Sequence, residues 1–435
     1  MDSALPPGRA MTTKEWAEIA LIDLNNFYFA AEAAVSPHLQ GLPVIILSNN
    51  DGTVISRSPA AKALGISMGE PAFKLKNLIW QEGIEVRSSN YELYGSMSRR
   101  FVQTVATLVP RLYQYSIDEV FCDLQGMPAP PLETAALLRS RVLKWTRMPS
   151  GVGVGPNATL AKLSNHIAKK FTDTGVFRIV SAFDHAELLS EIDVSEIWGI
   201  GNKIASKLSS LGVTSVADML YVDRTLIREH FPITVQRTHA ELQGHRLIHP
   251  WDDGTDKQAI SCGRSFGRPV TTLHELTEAA AEFADRATNK LRAQGSVTSV
   301  IQVYARSNPF SAHATPYSRS KTIKLIRPTD DTREITRMVA LALASIFNER
   351  VAFTKAGVVL LELEAKQGIQ TDLFSAFSLN DKAEAVMSVY HAINRKFGRR
   401  SVRLGRATGE NKWTAKAEHM SMRATSDWHS IPPCY

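Results

Sequence analysis

Asp118 and Glu119 stand side by side between two apolar runs, 112–115 and 120–124. Each run has the length and content of a strand, so the acids fall at a strand–turn–strand junction. Adjacent carboxylates there repel each other and gain nothing from burial. A shared cation removes that penalty. A third acid, Asp23, closes another apolar run, 19–22. Carboxylates at the ends of neighbouring strands suit a hard divalent ion such as Mg2+ better than zinc. The simpler alternative is a solvated turn, which also favours Asp.

With 435 residues the chain is too long for a single core and predicts roughly two to four domains. Apolar residues make up 44% of it, as in a globular protein, and the net charge of +7 suits a polyanion without demanding one. Cys122, Cys262 and Cys434 form no disulfide or zinc pattern, which points to a reducing, cytoplasmic setting. No apolar run reaches the roughly 20 residues that span a bilayer. Residues 1–17 read as a flexible leader, with Met11 as an alternative start.

Along the chain the pattern predicts a strand over 18–23 and a helix over 26–35. A buried strand at 43–47 and a return strand at 52–56 follow, then a short helix at 58–64. A long helix runs from 91 to about 108, stopping before Pro110. After the acidic hairpin come a helix at 133–147, a strand at 151–155 and a helix at 158–170. With 42–90 set aside as an insert, this order gives a mixed sheet backed by helices. The run Gly151-Val-Gly-Val-Gly155 lacks the third glycine of a dinucleotide fingerprint and reads as a strand.

Between 190 and 250, Gly199-Ile200-Gly201 opens a helix that carries Lys203 and Lys207 one turn apart. This is a helix–hairpin–helix pattern, whose glycines let backbone N–H groups reach phosphate. A plain helical hairpin is the alternative. Residues 258–364 read β-α-β-β-α-β, with Arg264, Arg268, Arg306, Arg319, Lys321, Lys324 and Arg327 near the strands and most acids on the helices. That one-sided field suits a phosphate backbone, although a solvated surface gives the same pattern. The last 70 residues or so are polar and interrupted, which predicts partial order at best.

Ordered motifs now give a resemblance. Asp23-Leu-Asn-Asn-Phe27-Tyr28-x-x-x-Glu32, Tyr115-Ser-Ile-Asp118-Glu119, the glycine run at 151–155 and Leu160-Ala-Lys-Leu-Ser-Asn-His-Ile-Ala-Lys169 resemble the Y-family translesion DNA polymerases. Leu47-Ser-Asn-Asn-Asp-Gly52 and Ser89-Asn-Tyr-Glu-Leu-Tyr94 are closer to the UmuC branch than to the DinB branch. The resemblance spans about 18–435. It implies an α+β multidomain right hand: a ferredoxin-like palm (18–41 and 91–170), small fingers (42–90), a helical thumb with the helix–hairpin–helix (171–250), an α/β little finger (258–364) and a C-terminal region (365–435). It implies error-prone, DNA-directed synthesis past damaged bases in the SOS response, in a bacterial cytoplasm at the nucleoid.

The resemblance also gives residues roles. Asp23, Asp118, Glu119 and the Leu24 backbone carbonyl would hold two Mg2+ ions. Tyr28, beside Phe27, would be a steric gate against the ribose 2′-hydroxyl; a buried helix face is the alternative for both. Lys169, Lys62 and Ser56 would take the triphosphate of the dNTP, and Thr53 would lie against the templating base. Pro59 stands where other branches have a tyrosine on the triphosphate. Primer–template DNA would contact Gly199, Gly201, Lys203, Lys207, Arg264, Arg268, Arg306 and Lys324. Gln370, Leu373 and Phe374 resemble a pentapeptide that docks on the sliding clamp. The C-terminal region would engage a UmuD′-like accessory dimer and depend on RecA filaments. Two rivals remain: a non-catalytic DNA-binding scaffold, and a DinB-like polymerase needing no accessory subunit.

Overall fold

The computed structural model describes residues 18–251, 256–310, 316–366, 381–398, 401–405, 413–414 and 416–430. The chain divides into two compact units. One takes the residues up to 48, then 53–253 and those from 419 onward; the other takes 49–52 and 254–418.

In the first unit the elements are β1 (Ile19–Leu24), α1 (Phe27–Val35), β2 (Val44–Leu47), β3 (Val54–Arg57), α2 (Pro59–Ala63), α3 (Lys76–Gln81), β4 (Glu85–Ser88) and α4 (Tyr91–Ala106). They continue with β5 (Leu112–Gln114), β6 (Glu119–Asp123), α5 (Pro131–Thr146), β7 (Ser150–Gly155), α6 (Ala158–Lys170) and β8 (Val176–Arg178). A five-stranded sheet runs β5-β6-β1-β7-β8. Its central strand β1 is buried on both faces, which is why its sequence is an unbroken apolar run rather than an alternation. Ala20, Ile22 and Leu24 pack with Leu93, Phe101 and Leu138 from α4 and α5. Ile19 and Leu21 pack the other way, with Phe121, Ala158 and Ala161.

The glycine run of β7 is explained by α6. A Cβ at Gly153 would lie 2.0 Å from the Asn165 backbone nitrogen and 2.4 Å from the Ala161 carbonyl oxygen. A Cβ at Gly151 would lie 2.7 Å from Cγ of Lys169. The glycines thus let α6 settle against the strand and give the Lys169 stem a path along it.

Residues 42–90 form a small sheet, β3-β2-β4, over a core of Ile45, Leu47, Val54, Ile66 and Ile84. The helical region contains α7 (Ala186–Ser190), α8 (Asn202–Ser209), α9 (Val216–Tyr221), α10 (Arg224–His230) and α11 (Ile233–Leu242). Its core is shared with Leu160, Leu163 and Ile167 of α6.

The second unit has β9 (Ile260–Val270), α12 (Leu273–Ala293), β10 (Ser296–Arg306), β11 (Ser318–Thr329), α13 (Thr332–Ile346), β12 (Phe353–Ala365) and α14 (Asp381–Lys396). Its sheet runs β11-β10-β12-β9, antiparallel throughout, with α12 and α13 packed on it. Described parts of the C-terminal region pack into this unit. Met387 and Tyr390 of α14 are buried, and the Tyr390 hydroxyl donates to Asp285 at 3.0 Å. Trp413 packs against Phe266 and Phe283 in the core of this unit. A few well-placed apolar side chains therefore order a stretch whose average composition is that of a linker.

Candidate active site

Sheet pairing places Asp23 opposite Glu119 on β6 and opposite Gly151 on β7. The Leu24 N–H donates to the Asp118 carbonyl at 3.0 Å, so Asp118 enters from the turn just before β6. Ser116 shapes that turn. Its Oγ donates to Asp118 Oδ1 at 2.6 Å and accepts from the N–H groups of Asp118 and Glu119.

Each strand-end acid of the Asp23–Glu119 pair carries a lysine from α6. Lys169 Nζ is 2.6 Å from Asp23 Oδ2, and Lys162 Nζ is 2.5 Å from Glu119 Oε1. Seven residues, two helical turns, separate the lysines, which puts both on one face. Lys162 also lies over the rings of Tyr115 and Trp198, at 4.7 and 5.6 Å. Burial raises the Asp23 carboxyl to about 6, opposed by Lys169 and reinforced by the nearby Glu119 and Asp118.

Among the described residues, no three carboxylates, imidazoles or thiols stand drawn together as a ready metal cage. Lysine and hydroxyl partners hold the three acids instead. The donor set still fits Mg2+. It is all oxygen, and it includes a buried acid whose ionised form is disfavoured, a cost that a cation removes.

Beside the acids lies a cleft of about 320 Å³. Leu24, Phe27, Tyr28, Ser56, Lys62 and Asp118 all line it. So does Arg57, which sequence reasoning missed although it adjoins Ser56 on β3. Burial lowers the Lys62 pKa first, and Arg57 and Lys169 lower it further by repulsion. Three cations held near one another at a cleft favour a polyanion. Tyr28 stacks on Tyr94 with centroids 4.6 Å apart and meets Tyr91 edge-on at 6.4 Å.

Other expected residues divide. Ser56 braces the entry to α1, accepting from the Phe29 N–H and donating to the Asn26 carbonyl, each at 3.3 Å. Asn26 adopts the left-handed conformation there, with φ 48°. Thr53 bonds to Ser48 and does not line the cleft. Gly199 takes a φ of 87°, and Gly201 caps α8. Lys203 is exposed, whereas Lys207 donates to the His230 carbonyl at 2.5 Å.

In the second unit, strand pairing splits the expected basic residues between two faces. Arg306 pairs with Lys355, and Val300 with Lys324, on the face away from the helices. Arg264 pairs with Ala356 on the opposite parity, and Arg268 is ion-paired to Glu275. On the open face, Tyr304 lies across Gly263 and Gly357, where a Cβ would meet its hydroxyl at 2.5 and 2.4 Å. Gln370, Leu373 and Phe374 lie outside the described residues, as do residues 1–17 and Cys434.

Comparison with known proteins agrees with this geometry. Residues 22–166 match the impB/mucB/samB family and 257–373 its C-terminal domain. Residues 184–213 match the helix–hairpin–helix motif of the same group, and 384–433 match a domain of unknown function. Protein MucB of Salmonella typhimurium is 38% identical, over 95% of this chain and 98% of its own length. Protein UmuC of Salmonella typhimurium is 36% identical, over 95% and 99%. DNA polymerase IV of Oceanobacillus iheyensis is 26% identical, over 87% and 88%. A solved Y-family DNA polymerase chimera shares the fold, with a TM-score of 0.62 at 19% identity, covering 80% of this chain and 99% of the chimera.

The right-hand fold and the family match define a Y-family DNA polymerase, a DNA-directed enzyme. The chain belongs to the impB/mucB/samB family, on the UmuC branch of the translesion polymerases. No helix among the described residues is long and apolar enough to cross a membrane.

Proposed function

We propose that this polymerase joins a deoxynucleotide to a primer 3′-hydroxyl at the strand-end acids, with Asp23, Asp118, Glu119 and the Leu24 carbonyl holding two Mg2+ ions. When bound, the ions stabilise the attacking and leaving oxygens of the in-line displacement. The chain's residues do the remaining work. Arg57, Lys62 and Lys169 receive the triphosphate, which relieves their mutual repulsion. The Tyr28 ring underlies the sugar and leaves no room for a 2′-hydroxyl. Lys162 and Lys169 hold the Glu119 and Asp23 carboxylates in place in the absence of nucleotide.

In this reading the palm is 18–41 with 91–170, the fingers 42–90, the thumb 171–250 and the little finger 258–364. Gly199, Gly201 and Lys203 reach the DNA backbone from the thumb, and Arg306 and Lys324 from the open sheet face. Gln370, Leu373 and Phe374 dock on the sliding clamp, and the C-terminal region engages a UmuD′-like dimer and RecA filament during the SOS response.

One observation carries the reading: Asp118, Arg57, Lys62 and the stacked Tyr28 line one cleft, next to the paired strand-end acids Asp23 and Glu119 and to Lys169 on Asp23. The test is primer extension across an abasic site with Mg2+. Asp118→Ala should lower it by about 10^3-fold or more, the scale of losing transition-state charge stabilisation by metal. Extension at the wild-type rate would overturn the assignment.

A further inference from the structure

Residues 384–433 match a domain to which no function is attached. Part of it returns to the nucleotide-binding unit. Although α14 and Trp413 belong with the second unit, residues from 419 onward cluster with the first. The return is a set of specific hydrogen bonds. The Ser88 N–H, at the end of β4, donates to the His419 carbonyl at 2.9 Å, and the His419 N–H donates to Ser88 Oγ at 2.9 Å. Asn90, the N-cap of α4, donates from Nδ2 to Ser421 Oγ at 2.9 Å and to the Met422 carbonyl at 3.4 Å.

Ser421 then reaches a group that demands explanation. Glu32, in the middle of α1, is wholly buried. Its Oε1 accepts from the Tyr94 hydroxyl at 2.8 Å and from Ser421 Oγ at 3.1 Å. Its Oε2 is buried with no hydrogen-bond partner among the described residues. Burial pushes the Glu32 pKa up, while these two hydroxyls pull it down. A buried carboxyl is costly unless its bonds are satisfied, so the two donors together fix where it sits. Glu32 lies one helical turn beyond Tyr28. Tyr94 is the ring on which Tyr28 stacks, at 4.6 Å and 27° between planes. A chain of contacts therefore runs from Ser421 to Glu32, to Tyr94, to Tyr28.

We propose that the 419–423 segment is an intramolecular clasp in which Ser421, through Glu32 and Tyr94, holds the Tyr28 ring in the plane that excludes ribonucleotides. The unassigned C-terminal domain thereby sets the stringency of sugar selection. Ser421 and Glu32 are positioning residues; neither lines the cleft. The proposal rests on the reading of Tyr28 as the sugar gate. Loss of the Ser421 donor leaves Glu32 with one bond and Tyr94 with a mobile acceptor. The ring stack loosens, and a displacement of a fraction of an ångström at Tyr28 is enough to admit a hydroxyl.

The experiment measures kcat/KM for a dNTP and for the matching rNTP with the full chain, a primer–template and Mg2+. Ser421→Ala should lower the dNTP-over-rNTP ratio by about three- to tenfold, the scale of one misplaced polar contact. The dNTP kcat should stay within about twofold. Ser421→Thr, which keeps the hydroxyl, should restore the ratio, and Glu32→Gln, which keeps the acceptor, should stay near wild type. Tyr28→Ala should lower the ratio further. In that background Ser421→Ala should add nothing, because the two act through one ring. If Ser421→Ala melts before assay, Ser421→Cys keeps the volume, weakens the donor and gives the same comparison. An unchanged ratio in the Ser421 variants, with Tyr28→Ala relaxed, overturns the clasp and leaves the gate standing. An equal Ser421 effect with and without Tyr28 also overturns the clasp. An unchanged ratio in Tyr28→Ala overturns the gate reading itself.

Discussion

The two sheets of this polymerase put their chemistry in different places. The five-stranded sheet is covered on both faces, by α1, α4 and α5 on one side and α6 on the other, so only its strand ends are open. Asp23, Asp118 and Glu119 sit there. The four-stranded sheet packs helices on one face and leaves Tyr304, Arg306, Lys324 and Lys355 on the other. A sheet end gathers a few groups at one point, as a reaction needs. A sheet face spreads groups over a surface, as gripping a polymer needs. The layering of each sheet selects the kind of work it can do.

The largest expected effect separates the two kinds of work. Asp118→Ala, with its loss of about 10^3-fold or more in extension, should leave primer–template affinity within about twofold, measured by fluorescence anisotropy. A matching loss of affinity would mean that the strand end also carries grip. Next in size is the closeness of α6 to the covered sheet. Gly153→Ala forces a Cβ against backbone of α6 and should cost about 3 kcal/mol or more of stability, read by denaturant melting. It should also scatter Lys162 and Lys169 from their acids. An Ala at Gly263, on the open sheet, meets the Tyr304 hydroxyl at 2.5 Å and strand backbone no closer than 2.8 Å, against 2.0 Å at Gly153, and should cost less. Equal losses would remove the distinction drawn between the sheets.

The covered sheet also predicts a pH dependence. Burial holds the Asp23 carboxyl at about 6, above its ordinary 3.8. It is protonated below that value and ionised above it, so Mg2+ binding and extension should rise as pH passes upward through about 6. One unit below the midpoint the loss should be about tenfold. Added Mg2+ competes with the proton, so the midpoint should move to lower pH as Mg2+ rises. A midpoint indifferent to Mg2+ would detach Asp23 from the metal site.

Local pattern made much of this legible. The apolar run ending in Asp23, the acidic hairpin and the helix over 158–170 were visible because each is a short-range regularity, and the helix matches to the residue. That Tyr28 lines the cleft was suggested only by family resemblance, since spacing alone also fits a buried helix face. What stayed hidden depends on pairing between distant elements. Lys162 is two turns from Lys169, a visible spacing, yet its partner Glu119 lies 43 residues earlier on a strand. Ser421 and Glu32 are separated by 389 residues, and no periodicity connects them. The basic residues of the second sheet looked like one patch because composition counts charges and ignores parity. Arg264 and Arg306 fall on opposite faces once the register is known.

That parity gives the smallest and most discriminating effect. Arg306→Ala and Lys324→Ala lie on the open face, where a phosphate contact is a solvated charge pair. Each should weaken DNA binding by only a few-fold, uniformly across sequences, and lower the salt slope of binding by about one. Arg268→Ala removes a charge already spent on Glu275 and should leave the slope unchanged. A slope that falls equally for Arg268 and Arg306 would show that net charge governs the grip. A slope that falls only for Arg306 and Lys324 assigns it to the uncovered face, where a phosphate backbone can lie along the strands while the acids work at the ends of the other sheet.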